Sequence, residues 1–286
     1  MAYSIAPLTN IRIAQLHLVF ERAFSDYEIP MHMTKEQFQV RFEDKLRIEY
    51  EWSPGVWQGD ELVGFIYTAT GNYHGIPTAY NGGTGIIPSH RGQGLLASMY
   101  DWLREQAPNM GVKQFVLEVI STNDRAKKAY ENVGFKAHDL LHCFRLSQLP
   151  EEYTRPLPGL TIKTPEEPNW KAYRTLSAAK ATFQDTWDRL PLNPREKVLE
   201  AWLDGKLQGT AVFQPHIGRI SALAVGPDSR GKGVGSALIH SMVHQSAQPH
   251  LTVINVRDQD RDLLGFLHQL RFKNEIDQYE MVLPLR

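Results

Sequence analysis

The sequence predicts an α/β protein built as two tandem copies of one domain, each a mixed, twisted β-sheet flanked by helices. Three observations predict it. The chain has 286 residues, about twice the ~150-residue prior for a single domain. Two segments repeat: GIIPSHRGQGLLASMYDWL from Gly85 and AVGPDSRGKGVGSALIHSM from Ala224. Pairing Pro88 with Pro227 also pairs Arg91 with Arg230 and Gly94 with Gly233 at one constant offset. Finally, β-rich runs alternate with helical periodicity around both segments.

The elements follow in the same order in each half. A β-rich run precedes each repeat, ELVGFIYTAT from Glu61 and KLQGTAVFQP from Lys206. Their offset is larger than that of the repeats, so a loop differs in length. Helical spacing follows each Gly-rich loop, through Leu96, Met99, Tyr100 and Leu103 in the first half. In the second half it runs through Val234, Ala237, Leu238, Ser241 and Met242. A strand comes next, QFVLEVI over 114–120 and LTVINV over 251–256. A second helix is then predicted, NDRAKKAYENVGF with Asn123 or Asp124 as N-cap and Gly134 as terminator, and DRDLLGFLHQLRF in the second half. Each half closes on an apolar strand, LLHCFRL and QYEMVLPL. Pro150, Pro156, Pro158 and Gly159 crowd the segment between the halves and place the boundary there, giving domains 1–150 and 151–286.

Composition excludes several classes. Lys and Arg number 31 against 32 Asp and Glu, for a net charge of −1, so nothing in the overall charge draws the chain to nucleic acid or to an anionic membrane. The single cysteine, Cys143, rules out an intrachain disulfide and reads as a small buried hydrophobe. The N-terminus lacks a basic region followed by an apolar core, and no apolar run reaches the ~20 residues of a membrane span. A cytoplasmic protein is expected. The eleven histidines are scattered, and no metal site is read from them.

A strand, a Gly-rich loop and a helix together make an anion site. The first helical N–H groups have no intrahelical partner, and the helix dipole adds partial positive charge. Arg91 and Arg230, at the loop starts, would each add a charge-assisted bond. GPDSRGKG from Gly226 nearly fits the triphosphate-binding pattern, but Gly233 stands where Ser or Thr must hold magnesium, and the first copy has Gln93 in place of Lys. GQGLLA from Gly92 fits a dinucleotide fingerprint, with Glu118 at a suitable distance. That reading, a dinucleotide-dependent oxidoreductase, fails on context. Pro88 to Arg91 intervene between strand and loop, roughly eighty residues precede it, and GKGVGS in the second copy breaks the spacing.

The pattern R-x-x-G-x-G/A, preceded by a strand and a Pro, resembles the coenzyme A loop of the GCN5-related N-acetyltransferase (GNAT) family. Arg230, Gly233 and Gly235 match it fully. Arg91 and Gly94 match in the first half, where Leu96 replaces the last small residue. LEVISTNDRAKKAYENVGF is similar to the family's other signature, and the resemblance covers nearly the whole chain. It implies that acetyl-coenzyme A is the cofactor, its pyrophosphate held by backbone groups of Arg91, Gly92, Gln93, Gly94, Leu95 and Leu96, and of Arg230, Gly231, Lys232, Gly233, Val234 and Gly235. It further implies that two strands splay apart so that the pantetheine arm pairs with exposed backbone. These would be GTGII over 83–87, including Ile86 and Ile87, with QFVLEVI, and SALAV over 221–225, ending at Val225, with LTVINV.

Acyl transfer to an amine calls for a base to remove a proton, a donor for the carbonyl oxygen and an acid for the leaving thiolate. By resemblance, Tyr130 is the acid and Asn123 a cofactor contact; as a plain helix residue, Tyr130 would be core and Asn123 an N-cap. Glu118 is the candidate base, alternatively an exposed strand carboxylate. In the second half Asn255, Asp260, Leu267 and Arg271 fall opposite Glu118, Asn123, Tyr130 and Gly134. That half is open to three readings: cofactor binding without turnover, a structural partner, or an active copy using other residues. The segment FERAFSDYEIPMHMT over 20–34 should wall the acceptor site, with Glu21, Asp26 and Glu28 either attracting a cationic amine or simply solvated. The expected function is acetyl transfer to a primary amine on a small molecule or peptide, with no nucleic-acid or membrane partner and the tandem able to serve as an intramolecular pseudo-dimer. The alternative is a module that binds or senses acyl-coenzyme A without turnover.

Overall fold

A computed structural model describes residues 2–27, 31–147, 157–177 and 179–285. The boundary residues Pro150 and Pro156, and Glu28 of the expected acceptor wall, lie outside these. The chain forms two compact units. Unit 1 comprises residues 1–138 and 279–286, and unit 2 comprises residues 139–278.

Unit 1 opens with β1 (Tyr3–Pro7), α1 (Ile13–Ala23) and the short α2 (Lys35–Gln39), which Thr34 and Gln37 close with reciprocal capping bonds. There follow β2 (Pro54–Gln58), β3 (Glu61–Tyr73), β4 (Ile76–Ile86), α3 (Leu95–Met110), β5 (Gln114–Ile120), α4 (Asp124–Asn132) and β6 (Lys136–Leu146), of which only the first residues belong to this unit. Unit 2 continues from β6 through β7 (Thr161–Lys163), α5 (Trp170–Leu176), β8 (Lys197–Leu203), β9 (Lys206–Gln214), β10 (Arg219–Val225), α6 (Val234–Gln245), β11 (Leu251–Arg257), α7 (Arg261–Gln269) and the first half of β12 (Lys273–Pro284).

The sheet of unit 1 runs β1-β2-β3-β4-β5-β12, and that of unit 2 runs β12-β6-β11-β10-β9-β8-β7. In each, a parallel pair, β4 with β5 and β10 with β11, adjoins antiparallel pairing, of β4 with β3 in unit 1 and of β10 with β9 and β11 with β6 in unit 2. The closing strands are exchanged relative to the expectation from sequence. LLHCFRL pairs with β11 of unit 2, from Leu146 opposite Leu251 to Leu141 opposite Arg257. The end of the chain returns to unit 1, where the Leu285 amide donates to the Lys113 carbonyl at 2.8 Å. The units therefore divide at 138/139 and 278/279 rather than at 150/151.

Each unit has a core on both faces of its sheet. In unit 1, Phe20, Phe38, Phe42, Phe65 and Tyr67 are fully buried on the α1 side, with Phe65 stacked on Tyr67 at 4.2 Å between centroids. Each such ring contributes about 1.5–3 kcal/mol on burial. Met99, Tyr100 and Leu103 of α3 fill the other side with Phe115 and Phe135. In unit 2, α6 and α7 bury Leu238, Ile239, Met242 and Leu267 against Phe144, Phe213 and Leu251, while Tyr173 of α5 packs with Leu190, Val198 and Val212. On α3, Leu95 rather than Leu96 is the buried first-turn residue.

Candidate active site

In unit 1 the parallel pairing of β4 and β5 begins at Thr78 opposite Gln114 and ends at Asn81 opposite Leu117. Beyond that point the strands part. The cause is local: Tyr67 of β3 faces Gly83 and Thr68 faces Asn81, so Gly82 is an extra residue and β4 bulges there. A side chain at Gly82 would lie 2.9 Å from Leu46 and 3.2 Å from Ile48, which close over the bulge. The Asn81 carboxamide holds the shape. Its oxygen accepts from the Gly83 amide at 3.0 Å, and its nitrogen donates to Thr84 Oγ1 at 2.7 Å and to the Tyr100 hydroxyl at 2.8 Å.

Tyr130 comes to this fork from α4. Its ring meets Phe135 and Tyr100 edge-on at 5.8 and 6.4 Å. Burial pushes its phenol up; hydrogen bonds with Thr84 and Asn81 oppose the rise, and Tyr27 adds to it. The group is therefore protonated near neutral pH, the state a general acid requires. Glu118 is the first residue of β5 past the last paired position and accepts a hydrogen bond from the Tyr80 hydroxyl. Strand alternation puts Glu118 on the face of Val116, opposite to Phe115, whose ring packs on Tyr100 of α3. Tyr130 and Glu118 thus approach the fork from opposite faces of the sheet.

Asn123 caps α4, its Oδ1 accepting from the Ala126 amide at 3.0 Å, while its Nδ2 donates to the Tyr27 hydroxyl at 2.9 Å. Asp124 is then the first helical residue, not the cap. The Gly-rich loop runs from a 3₁₀ turn, Pro88–His90, into α3. Gly92 and Gly94 have φ of 76° and 72°, and a side-chain carbon at either would meet nothing within 4 Å. The need for glycine here is conformational, and the loop presents bare backbone and the unpartnered first amides of a helix of 16 residues. The guanidinium of Arg91 is not part of that surface. It donates to the Ile86 carbonyl at 2.9 Å, to the Ala23 carbonyl at 2.8 Å and to both oxygens of Asp26, at 2.6 and 2.8 Å. The charge-assisted bond expected from this side chain to an anion is replaced by a clamp between loop and α1. Bonding to Arg91 holds the Asp26 carboxyl below its usual range. Glu21, the other described acid of the expected acceptor wall, is taken up by His32 at 3.0 Å and the Met33 amide at 3.1 Å.

Unit 2 repeats the scaffold. β10 and β11 pair at Arg219–Thr252 and Ile220–Val253 and then part, with Ser221 as the extra residue. Gly231 and Gly233 have φ of 70° and 89°, again with open space where a side chain would be. Arg230 donates to the Val225 carbonyl at 3.2 Å and to Asp262 at 2.8 Å. Asp260 caps α7 as Asn123 caps α4, and Arg271, like Gly134, has positive φ. The side chains at the fork differ. Leu267 is fully buried in the core, and Gly235 lies under the Phe266 ring, 2.9 Å from where a side chain would begin. Asn255 is buried with φ of 61°; its Oδ1 accepts from Gln278 Nε2 at 2.9 Å. The Cys143 thiol is half-buried and sits 3.7 Å from that same oxygen, in polar surroundings rather than the apolar ones expected.

A sequence model described as the acetyltransferase (GNAT) family matches residues 16–135 and again 162–272. The chain belongs to the GNAT family, and it carries the family's domain twice. Among solved structures, this tandem GNAT chain is similar to a tandem GNAT protein from the clavulanic acid biosynthesis pathway, at 14% identity over 99% of this chain and 98% of that one, TM-score 0.71. It is also similar to a GCN5-related N-acetyltransferase from Sphaerobacter thermophilus, at 14% identity over 99% and 96%, TM-score 0.73. Identities this low speak to the fold alone. Among curated proteins none matches the chain. Family and fold indicate N-acetyltransferase chemistry in general terms, and among the described residues no helix is long and apolar enough to cross a membrane.

Tyr130, Glu118, Asn123 and both loops are legible in the sequence; Asn81 and Thr84, which hold Tyr130, Tyr80, which holds Glu118, and Tyr27, which holds Asn123, are not. The run Asn81-Gly82-Gly83-Thr84 carried a legible turn signal, although a bulge within a strand was not foreseen from it.

Proposed function

We propose that unit 1 transfers an acetyl group from acetyl-coenzyme A directly to a primary amine of a small molecule or peptide. The observation that carries this reading is the fork itself, with Tyr130 on one face of the parted strands and Glu118 on the other. The chain fits the cofactor in two respects: its loop is bare backbone at the start of a helix, and the backbone of Gly82–Ile87 beyond Asn81 is released from β5. Bound acetyl-coenzyme A would supply the thioester carbonyl. The loop amides from Arg91 to Leu96 would hold its pyrophosphate, and the β4 backbone at Ile86 and Ile87 would meet its pantetheine arm.

Glu118 takes the proton from the incoming ammonium, so that a neutral amine attacks. Tyr80 orients that carboxylate. Tyr130 gives its proton to the departing thiolate, and Thr84 with Asn81 fixes the phenol in place. In these terms the N–C bond forms as the C–S bond breaks; the amine nitrogen then sheds its second proton, which restores the Tyr130 phenol, so that the two ammonium protons end on Glu118 and, by way of Tyr130, on the thiol.

The test is turnover on a panel of amines by the wild type, Tyr130→Phe and Glu118→Gln, with acetyl-coenzyme A binding measured in parallel. Loss of kcat at unchanged cofactor affinity in both variants supports the reading. Binding without transfer to any amine favours a sensor. Unit 2 specifically favours that second role for itself, since it keeps the loop while Leu267 and Asn255 replace the acid and the base.

A further inference from the structure

We propose that α6 of unit 2 carries a surface site for a divalent late transition-metal ion, formed by His240 and His244. The two residues are one helical turn apart and share the outward side of α6, whose opposite side is anchored by buried Leu238, Ile239 and Met242. Their Nε2 atoms lie 3.0 Å apart, and the rings meet edge to face, with centroids separated by 4.3 Å at an interplanar angle of 79°.

Such an approach of two imidazole nitrogens requires something between them. Without metal it is a proton: one ring donates and the other accepts. A metal ion offers a second solution. Imidazole binds zinc at about 2.0–2.1 Å, and two such bonds opening about 90–109° at the ion place their nitrogens about 2.8–3.4 Å apart. The observed separation falls inside that window, so the spacing suits an ion in place of the shared proton. The remaining positions would be filled by water. Both ligands stand on one α-helix, so little backbone ordering entropy is lost on binding. With two neutral nitrogen ligands, affinity should follow the general order Cu²⁺ above Ni²⁺, with Zn²⁺ also below Cu²⁺.

The experiment is calorimetric titration of Ni²⁺, Cu²⁺ and Zn²⁺ into the full chain, freed of any polyhistidine tag, alongside His240→Ala and His244→Ala. One site per chain is expected in the wild type. Each single substitution should weaken it by about tenfold or more, the scale of loss that even outer-shell changes cause at metal sites. Electron paramagnetic resonance of the Cu²⁺ form should show two equivalent nitrogen couplings, and saturating Ni²⁺ should raise the Tm of the wild type but of neither variant. Absence of binding, or binding and a Tm shift that both substitutions leave unchanged, overturns the site.

Discussion

The two units share a backbone device and differ in the side chains placed on it. Both have a parallel pair that parts at a bulge, two glycines at positive φ, a helix starting from the second glycine, and an arginine tied to a carbonyl and an aspartate. Unit 1 adds a phenol held by Asn81 and Thr84 and a carboxylate held by Tyr80, whereas unit 2 has a core leucine and a buried amide at the matching places. The comparison teaches that the parted strands and the glycine loop are a property of main chain. They persist without the residues that would perform transfer. The side chains to which the chemistry is assigned above stand in unit 1 alone, both counterparts in unit 2 being different residues.

Four measurements would break or sharpen that contrast. The largest effect is expected at the fork. Tyr130→Phe keeps the ring packing on Phe135 and Tyr100, yet should lower kcat by about 10²–10⁴-fold, the usual contribution of a positioned proton donor. Leu267→Met in unit 2 should leave kcat unchanged. Full turnover by Tyr130→Phe would remove the division of roles.

Next come the loops. Alanine at Gly94 or Gly233 meets no neighbour, so its cost is the left-handed backbone alone, about 1–2 kcal/mol. If unit 1 holds the acetyl donor and the alanine loop relaxes out of the left-handed region when empty, Gly94→Ala should weaken binding by up to about 5–30-fold, and Gly233→Ala should leave turnover intact. The reverse pattern in a titration would move the working site to unit 2.

A smaller effect is expected at the arginine clamps. Arg91 ties its loop to two carbonyls and an aspartate, Arg230 to one of each. Thermal unfolding should therefore show a larger fall in Tm for Arg91→Ala than for Arg230→Ala. Equal falls would mean that the two extra bonds of Arg91, to the Ala23 carbonyl and to the second oxygen of Asp26, add no measurable stability.

The smallest effect concerns pH. In unit 2, His142 lies between Asp277 at 2.8 Å and Asp258 at 3.1 Å. Burial alone would lower its pKa, but hydrogen bonds to both carboxylates outweigh that and raise it. A histidine with a raised folded pKa stabilises fully below its unfolded value near 6.5 and loses that contribution as pH rises through the folded value. The Tm difference between wild type and His142→Asn should shrink on going from pH 6 to pH 9, and a constant difference would refute the linkage.

Much of this was legible in the sequence because it is encoded locally. The loops announce themselves through Arg91, Gly94, Arg230 and Gly233, since glycine is what a left-handed position at a helix start demands. Of the two N-cap candidates before α4, Asn123 is the cap and Asp124 is not, and Asp260, which falls opposite Asn123, caps α7. The exchange of closing strands was not legible. LLHCFRL and QYEMVLPL are both apolar and both follow a helix, and which sheet each joins depends on pairings far apart in sequence, such as Leu146 with Leu251. The role of Arg91 was hidden for the same reason, because its partner Asp26 is remote. The histidines of α6 looked scattered in a count of eleven, yet an i, i+4 spacing on a helix makes neighbours of two of them.

The return of the last strand to unit 1 has a consequence for synthesis on the ribosome. Unit 2 is one continuous stretch, 139–278, whereas unit 1 needs residues 279–286 to finish its sheet. The part of the chain made first is thus the part completed last, and β5 must await its neighbour while the whole of unit 2 is being translated. At about 5–20 residues per second, that interval lasts on the order of ten seconds or more, long enough for a waiting strand edge to need shelter.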